Sequence, residues 1–208
     1  MLVVEGVPGV GKSTLLDALL RAYVQQCPAR QLRTLLHLTQ AHTYGPLARA
    51  EDAKTLTRAD ALAHLERIVG GLEWAAGALA SEDRPKLFAL VDTLHLTHCH
   101  RPGAVRWSDV VPLDARLEAL GCRLVFLRAS PETLRVRALV RSGTQFLEGY
   151  ARGRWGPSDE DIVRGLADEQ AGMLEQVAST RMPTLVLAAE DTLGCSVDSA
   201  LRFWLERP

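Results

Sequence analysis

Short apolar runs and longer stretches of helical period alternate along the chain. Leu2, Val3 and Val4 form a run closed by Glu5, which predicts a buried strand, and Leu15, Leu16, Leu19, Leu20 and Tyr23 then recur at helical spacing over residues 12–26. Pro28 ends that helix, because a proline disfavours helix at the residue before it. Leu32, Leu35, Leu36 and Leu38 predict a second strand over residues 32–39, followed by a polar loop over residues 40–46. Leu56, Leu62, Leu65, Val69, Leu72, Ala76 and Leu79 mark one face of a long helix, with Gly70-Gly71 as a place for a kink. After a polar link over residues 81–84, the run Leu87-Phe88-Ala89-Leu90-Val91 predicts a third strand, fully buried and ending at Asp92.

The second half repeats the alternation. Residues 112–120 predict a short helix and residues 124–127 a fourth strand. Ser130-Pro131-Glu132 is a helix start with a capping hydroxyl, a proline at the first position and an acid in the first turn. Residues 142–157 are rich in glycine and arginine, unlike core. Ser158 with Asp161 predicts a capped helix to about residue 177, residues 184–188 a fifth strand, and residues 196–205 a closing helix. Strands separated by helices pair in parallel, so the expected fold is one α/β domain over residues 1–208: five parallel strands, helices on both faces, and a mobile lid over about residues 135–157.

One turn in this pattern carries chemistry. Gly6, Val7, Pro8, Gly9, Val10, Gly11, Lys12 and Ser13, with Thr14 behind, match G-x-x-x-x-G-K-[ST] between a strand and a helix, the context that a phosphate-binding loop requires. Glycines let the backbone turn several N–H groups inward at the positive end of the following helix. Lys12 is then expected to reach the β and γ phosphates of ATP, and the Ser13 hydroxyl to ligate Mg²⁺. The pattern therefore predicts the three-layer P-loop NTPase fold.

Composition narrows the partners. Lys plus Arg number 24 against 25 Asp plus Glu, a formal charge of −1, so no broad field for nucleic acid or membrane is expected and anion binding must be local. No apolar run is long enough to span a bilayer, and the first strand begins almost at Met1, which reads as cytoplasmic. Cys27, Cys99, Cys122 and Cys195 are widely spread without a C-x-x-C pair and are expected to be free thiols. A homodimer is compatible with this reading.

Other candidates sit where strands end, since ligands of open parallel sheets bind beyond their carboxyl ends. Asp92 is placed to hold magnesium or to accept the proton of an attacking hydroxyl; its plain alternative is a residue capping the next turn. Gln40, Tyr44, Thr93 and His95 are candidate acceptor contacts, against an ordinary turn on Gly45-Pro46. His95, His98, Cys99 and His100 lack the second ligand pair of a structural zinc site, so they read as surface or groove residues. Arg137 and Arg141 lie four apart on one helix face, aimed at phosphates, and Arg152 and Arg154 offer further guanidinium groups.

With these pieces placed, the chain resembles the P-loop nucleoside monophosphate kinases, and thymidylate kinases most closely. Glu5-Gly6 leading into the phosphate loop, Thr43-Tyr44-Gly45-Pro46-Leu47, and Pro131-Glu132 followed by Arg137 and Arg141 are similar to that family's start, post-β2 stretch and lid helix. The resemblance implies an ATP- and Mg²⁺-dependent phosphotransferase with a small-molecule acceptor. The chain departs from the family where an arginine usually precedes the Thr-Tyr-Gly stretch, here Gln40-Ala41, and where an Asp-Arg pair follows the third strand, here Asp92-Thr93. Arg49, Arg101 and Arg106 are the candidates to replace the missing charges. Three readings stay open: a thymidylate-kinase-like enzyme, a kinase of neutral alcohols such as nucleosides or antibiotics, and an NTP-binding regulatory protein with slow hydrolysis.

Overall fold

The computed structural model describes residues 1–26, 35–78, 87–101, 105–141 and 150–205, and the side chains of Val140 and Arg141 are not among those described. Its sheet has five parallel strands in the order β2-β3-β1-β4-β5: β1 Leu2–Glu5, β2 Leu35–Leu38, β3 Phe88–Asp92, β4 Arg123–Arg128 and β5 Thr184–Ala188. β1 lies in the middle because all four of its residues are fully covered, with Val3 beside Val91 on one side and Leu124 on the other. Helix α1 (Lys12–Gln26) carries the chain from β1 outward to β2, whereas the connection after β3 crosses over β1 to β4. Right-handed crossovers send these two connections to opposite faces, so the loops after β1 and β3 part and leave a crevice between them.

The contacts follow this layout. α1 packs on the last helix, Leu193–Leu205, while the long helix α4 (Arg58–Ala78) packs on α6 (Trp107–Ala119). Leu15, Leu16, Leu19 and Tyr23 bury one stripe of α1, and Ala61, Leu65, Val69 and Leu72 do so on α4, which runs through Gly70-Gly71 without interruption. None of the described helices is long and apolar enough to cross a membrane. Cys99, Cys122 and Cys195 are free thiols; Cys27 lies outside the described residues.

Several expectations need correction. The stretch 40–46 is not a loop: it forms α2 (Gln40–Thr43) and α3 (Gly45–Asp52). Thr39 is the N-cap of α2, its N–H donating to His42 Nδ1 at 3.3 Å, and Pro46 supplies a fixed φ in the first turn of α3. α6 starts at Trp107, five residues ahead of the expected Pro112, which sits inside it. There the Asp109 carboxylate accepts the Arg106 N–H at 2.8 Å, and burial of Val110, Leu113 and Leu117 offsets the hydrogen bond that Pro112 cannot make. The closing helix likewise begins at Leu193 rather than residue 196. β2 spans Leu35–Leu38 among the described residues; residues 32–34 of the expected strand lie outside them.

Candidate functional site

Two strand ends build the site. Val4 pairs with Asp92 across β1 and β3, so Glu5 and Asp92 close neighbouring strands and the phosphate loop starts one residue later. Gly6 has φ +144°, and a Cβ there would lie 2.7 Å from the Leu127 carbonyl oxygen; Gly11 has φ +107°, with an Arg137 guanidinium nitrogen 2.9 Å from where its Cβ would be. Both positions therefore require glycine. Lys12 Nζ donates to the carbonyls of Gly6 at 2.7 Å and Val7 at 3.1 Å, while the Ser13 and Thr14 side chains are exposed. Burial pushes the Lys12 ammonium below its usual 10.5, and the nearby Asp92 and Glu5 carboxylates oppose that shift.

Beyond β3 the backbone is tied down from below. Glu5 is fully buried, and its carboxylate accepts the N–H of Leu94 at 2.7 Å, the N–H of Leu96 at 3.2 Å and the Thr97 hydroxyl at 2.6 Å. It thereby caps the single turn α5 (His95–His98). Thr93 takes φ +63°, a left-handed angle that costs a β-branched residue roughly 1–3 kcal/mol and that recurs at functional sites. Its N–H donates to the Val4 carbonyl at 2.9 Å and its hydroxyl to Asp92 Oδ1 at 2.9 Å, so the strained residue holds the Asp92 side chain.

A cavity of about 540 Å³ opens here, with Gly9, Gly11, Lys12, Ser13 and Thr14 at one end. Its other end is made by Gln40, Tyr44, Ala48, Glu51 and Asp52 from α2 and α3, by Thr93, Thr97 and Arg101 after β3, and by Tyr150. Tyr44, Ala48 and Glu51 fall at helical spacing, as do Thr93, Thr97 and Arg101, which is the signal that would have found this wall once residues 40–52 and 95–98 were read as helix. The Arg101 guanidinium carbon sits 4.6 Å from the Tyr44 ring centre and 4.9 Å from that of Tyr150, and Arg101 donates to the Tyr150 hydroxyl. Of the three candidate replacement arginines, Arg101 lines the cavity, whereas Arg49 and Arg106 are exposed and do not. Burial raises the Glu51 carboxyl above its usual 4.5, offset in part by Arg101 and Arg154.

The structure thus brings together the phosphate loop, Gln40, Tyr44 and Thr93. Asp92 lies beside them at 5% exposure, behind the cavity lining. His95 does not join them: its side chain is buried, its Nε2 lies 3.1 Å from Asp114 Oδ1, and its ring stacks on Trp107, so it braces α5 against α6 instead of meeting an acceptor. His98 is also buried, not a groove residue. His64 and His98 both donate from Nε2 to the Thr43 carbonyl, at 2.9 and 3.2 Å, and the Thr43 hydroxyl donates to the Asp92 carbonyl at 2.7 Å, which pins α2 to the end of β3. The His64 and His98 imidazoles must carry their protons on Nε2 to do this, because a carbonyl only accepts.

His98 supplies a pH prediction. Burial lowers its pKa from 6.5 to about 4, so the unfolded chain binds the extra proton between those values and stability falls as pH drops through that window. The loss from pH 7 to pH 4.5 is expected to reach about 2 kcal/mol for this group, at roughly 1.4 kcal/mol per unit. Urea unfolding of the wild type against His98→Asn measures it: the variant is expected to lose less stability over the same interval, and parallel curves would remove His98 as the source.

Arg137 stands on the far side of the phosphate loop. It donates to the Val10 carbonyl and, at 2.5 Å, to the Ala189 carbonyl, at the edge of a second cavity of about 380 Å³ lined by Gly11, Thr14, Leu15, Leu127, Asp191 and Leu193. The Arg141 side chain, Gly143 and Gly149 lie outside the described residues. Two arginines expected to face phosphate are held elsewhere: Arg152 donates to the Pro157 carbonyl and to Asp159 at 3.2 Å, and Arg154 pairs with buried Glu169 at 2.9 Å. These pairs fasten the short helix Arg152–Trp155 to the helix Asp159–Ser179, where Gly165 makes room for Trp155.

Comparison with known proteins agrees with this architecture. Residues 2–59 match the model of the viral superfamily 1 RNA helicase core domain, a span that begins in β1 and includes the phosphate loop. No curated protein matches by sequence. Among solved structures, a gluconokinase from Sinorhizobium meliloti 1021 is similar with a TM-score of 0.54 and 20% identity, over 98% of this chain and 90% of its own. The YorR protein of Bacillus subtilis, solved with phosphorylated GDP, is similar with a TM-score of 0.60 and 12% identity, over 97% and 94%. At such identities the likeness is one of fold, and that fold is the P-loop NTPase fold.

Proposed function

We propose that the chain is a P-loop phosphotransferase, built like a thymidylate kinase, that moves the γ-phosphoryl group of ATP to a hydroxyl of a small molecule. One observation carries the reading: a single cavity has the phosphate loop at one end and a wall of tyrosine, arginine and carboxylate side chains at the other, so donor and acceptor meet over Lys12. The names of the two similar structures, a gluconokinase and a protein solved with phosphorylated GDP, are compatible with it. In this reading the loop N–H groups and Lys12 hold the β and γ phosphates. The nucleotide base lies in the second cavity, and Arg137 and Arg141 approach the phosphates.

Magnesium fits the donors present. The Ser13 hydroxyl is exposed at the cavity and Asp92 keeps one carboxylate oxygen outside the Thr93 bond; no described cluster of three His, Cys, Asp or Glu forms a cage. That suits Mg²⁺, which is held by one or two protein oxygens together with phosphates and water. The ion would neutralise charge on the transferring group. The acceptor hydroxyl oxygen bonds to the γ-phosphorus, the bond from that phosphorus to the bridging oxygen of ADP breaks, and Asp92 takes the hydroxyl proton on its way to solvent.

An acceptor without a phosphate group is favoured over a nucleotide by the wall itself. Gln40 and Thr93 carry no charge where two arginines would grip a phosphate, and Glu51 and Asp52 line the same space. A buried dianion without cations costs several kcal/mol. Thymidylate is therefore expected to be a poor acceptor. ADP release, measured with and without a panel of nucleosides, nucleotides and hydroxylated small molecules, tests the reading; release that no acceptor accelerates would point to a slow NTP-hydrolysing switch. Asp92→Asn is expected to lower turnover about a hundredfold, since an amide neither holds magnesium well nor accepts a proton. Unchanged turnover at saturating magnesium would leave Asp92 a strand-end residue only.

A further inference from the structure

We infer that the acceptor is a polyhydroxylated monocarboxylate, its carboxylate read by Arg101 and its hydroxyls by Glu51, Asp52 and Gln40. The inference rests on the phosphotransfer reading and narrows its acceptor.

Arg101 is the starting point. Tyr44 and Tyr150 lie against its guanidinium group at 4.6 and 4.9 Å, the Tyr150 hydroxyl takes one of its N–H groups, and its Nε is buried with no partner among the described residues. No described carboxylate forms an ion pair with it, in contrast to Arg154, whose charge is spent on Glu169. Rings over a guanidinium leave its edge, not its faces, to meet a ligand, and that edge is a planar fork of N–H groups matched to the two oxygens of a carboxylate. The side chain is therefore oriented before any ligand arrives, which limits the ordering entropy lost on binding.

The charge on the same wall sets how much anion it accepts. Glu51 and Asp52 line the cavity with Arg101, and the Glu51 carboxylate makes no hydrogen bond or direct ion pair among the described residues. Burial already disfavours its charge, so a phosphate dianion set between Arg101 and these carboxylates would meet two negative groups with one cation. A monoanion is balanced by Arg101 alone. The carboxylates, which only accept hydrogen bonds, then need donors, and a row of hydroxyl groups supplies them. The Tyr44 hydroxyl, buried without a partner among the described residues, adds a group able to donate or accept. The acceptor hydroxyl at the far end from the carboxylate faces the phosphate loop and takes the phosphoryl group.

The experiment uses the purified full chain with Mg·ATP and four probes: D-gluconate, sorbitol (the same carbon skeleton without the carboxylate), thymidine and thymidylate. D-gluconate is expected to accelerate ADP release, with kcat/KM about 30-fold above sorbitol, the range of a charge-assisted hydrogen-bonded pair. Arg101→Gln is expected to remove that difference and Arg101→Lys to restore part of it, while the Kd for Mg·ATP stays within about twofold and the melting temperature confirms folding. Glu51→Gln is expected to raise KM for D-gluconate. The inference is overturned if sorbitol, thymidine or thymidylate is the better acceptor, if Arg101→Gln leaves the ratio unchanged, or if the protein binds Mg·ATP yet none of the four accelerates release. Failure to bind Mg·ATP at all would overturn the phosphotransfer reading as well.

Discussion

Lys12→Ala is expected to reduce phosphoryl transfer at least about a thousandfold, because a kinase lowers its barrier chiefly by holding preorganised positive charge against the transferring group. The fold should survive. Lys12 follows the loop rather than sitting in the sheet, and its ammonium makes two hydrogen bonds, to the Gly6 and Val7 carbonyls, which water can replace at a partly covered position. Neighbouring Asp92 and Glu5 lose a counter-charge, so a small fall in melting temperature is expected with unchanged circular dichroism. Turnover is read at saturating ATP and acceptor. Near-wild-type turnover in a folded variant would remove the phosphate loop from the mechanism, and collapse of the fold would make Lys12 a structural residue first.

What the sequence makes legible follows how local each signal is. The five strands, α1 and the phosphate loop are written in contiguous runs, periodicity and a spaced motif, and they stand within a few residues of expectation. Local capping is legible in the same way: Ser130 accepts the Thr133 N–H and Ser158 the Asp161 N–H, as their residue types imply. The errors fall where distant partners decide. Residues 40–46 look like a loop because their polar side chains have no apolar period, yet His64 and His98, 21 and 55 residues from Thr43, fix its carbonyl and make that turn a buried wall. His95 looks like a groove residue until Asp114 and Trp107 arrive from α6. Arg154 looks available to phosphate until Glu169 claims it. Arg101 is legible in the sequence only as one of three arginines; its place between Tyr44 and Tyr150 depends on residues 57 and 49 positions away, which no window of sequence brings together.

Glu5→Ala is expected to cost about 3 kcal/mol of stability or more and to abolish turnover through the acceptor wall. The carboxylate is fully buried at the end of β1, and three donors from α5 and its approach converge on it: two backbone N–H groups and the Thr97 hydroxyl. Removing it leaves those donors without partners in a place where an unmade bond carries its full desolvation cost. The same segment continues into Thr97 and Arg101, and the strained Thr93 depends on the anchoring of the residues after it as well as on its own bonds to Val4 and Asp92. Asp92 and Arg101 should therefore lose their positions together, although neither touches the substituted side chain. Glu5→Gln separates charge from shape: its amide oxygen can still accept, so it should recover part of the stability. Urea unfolding with ADP release on both variants provides the check. Wild-type stability in Glu5→Ala would mean that water substitutes for the carboxylate, and the buried cap would then not be what positions the end of β3.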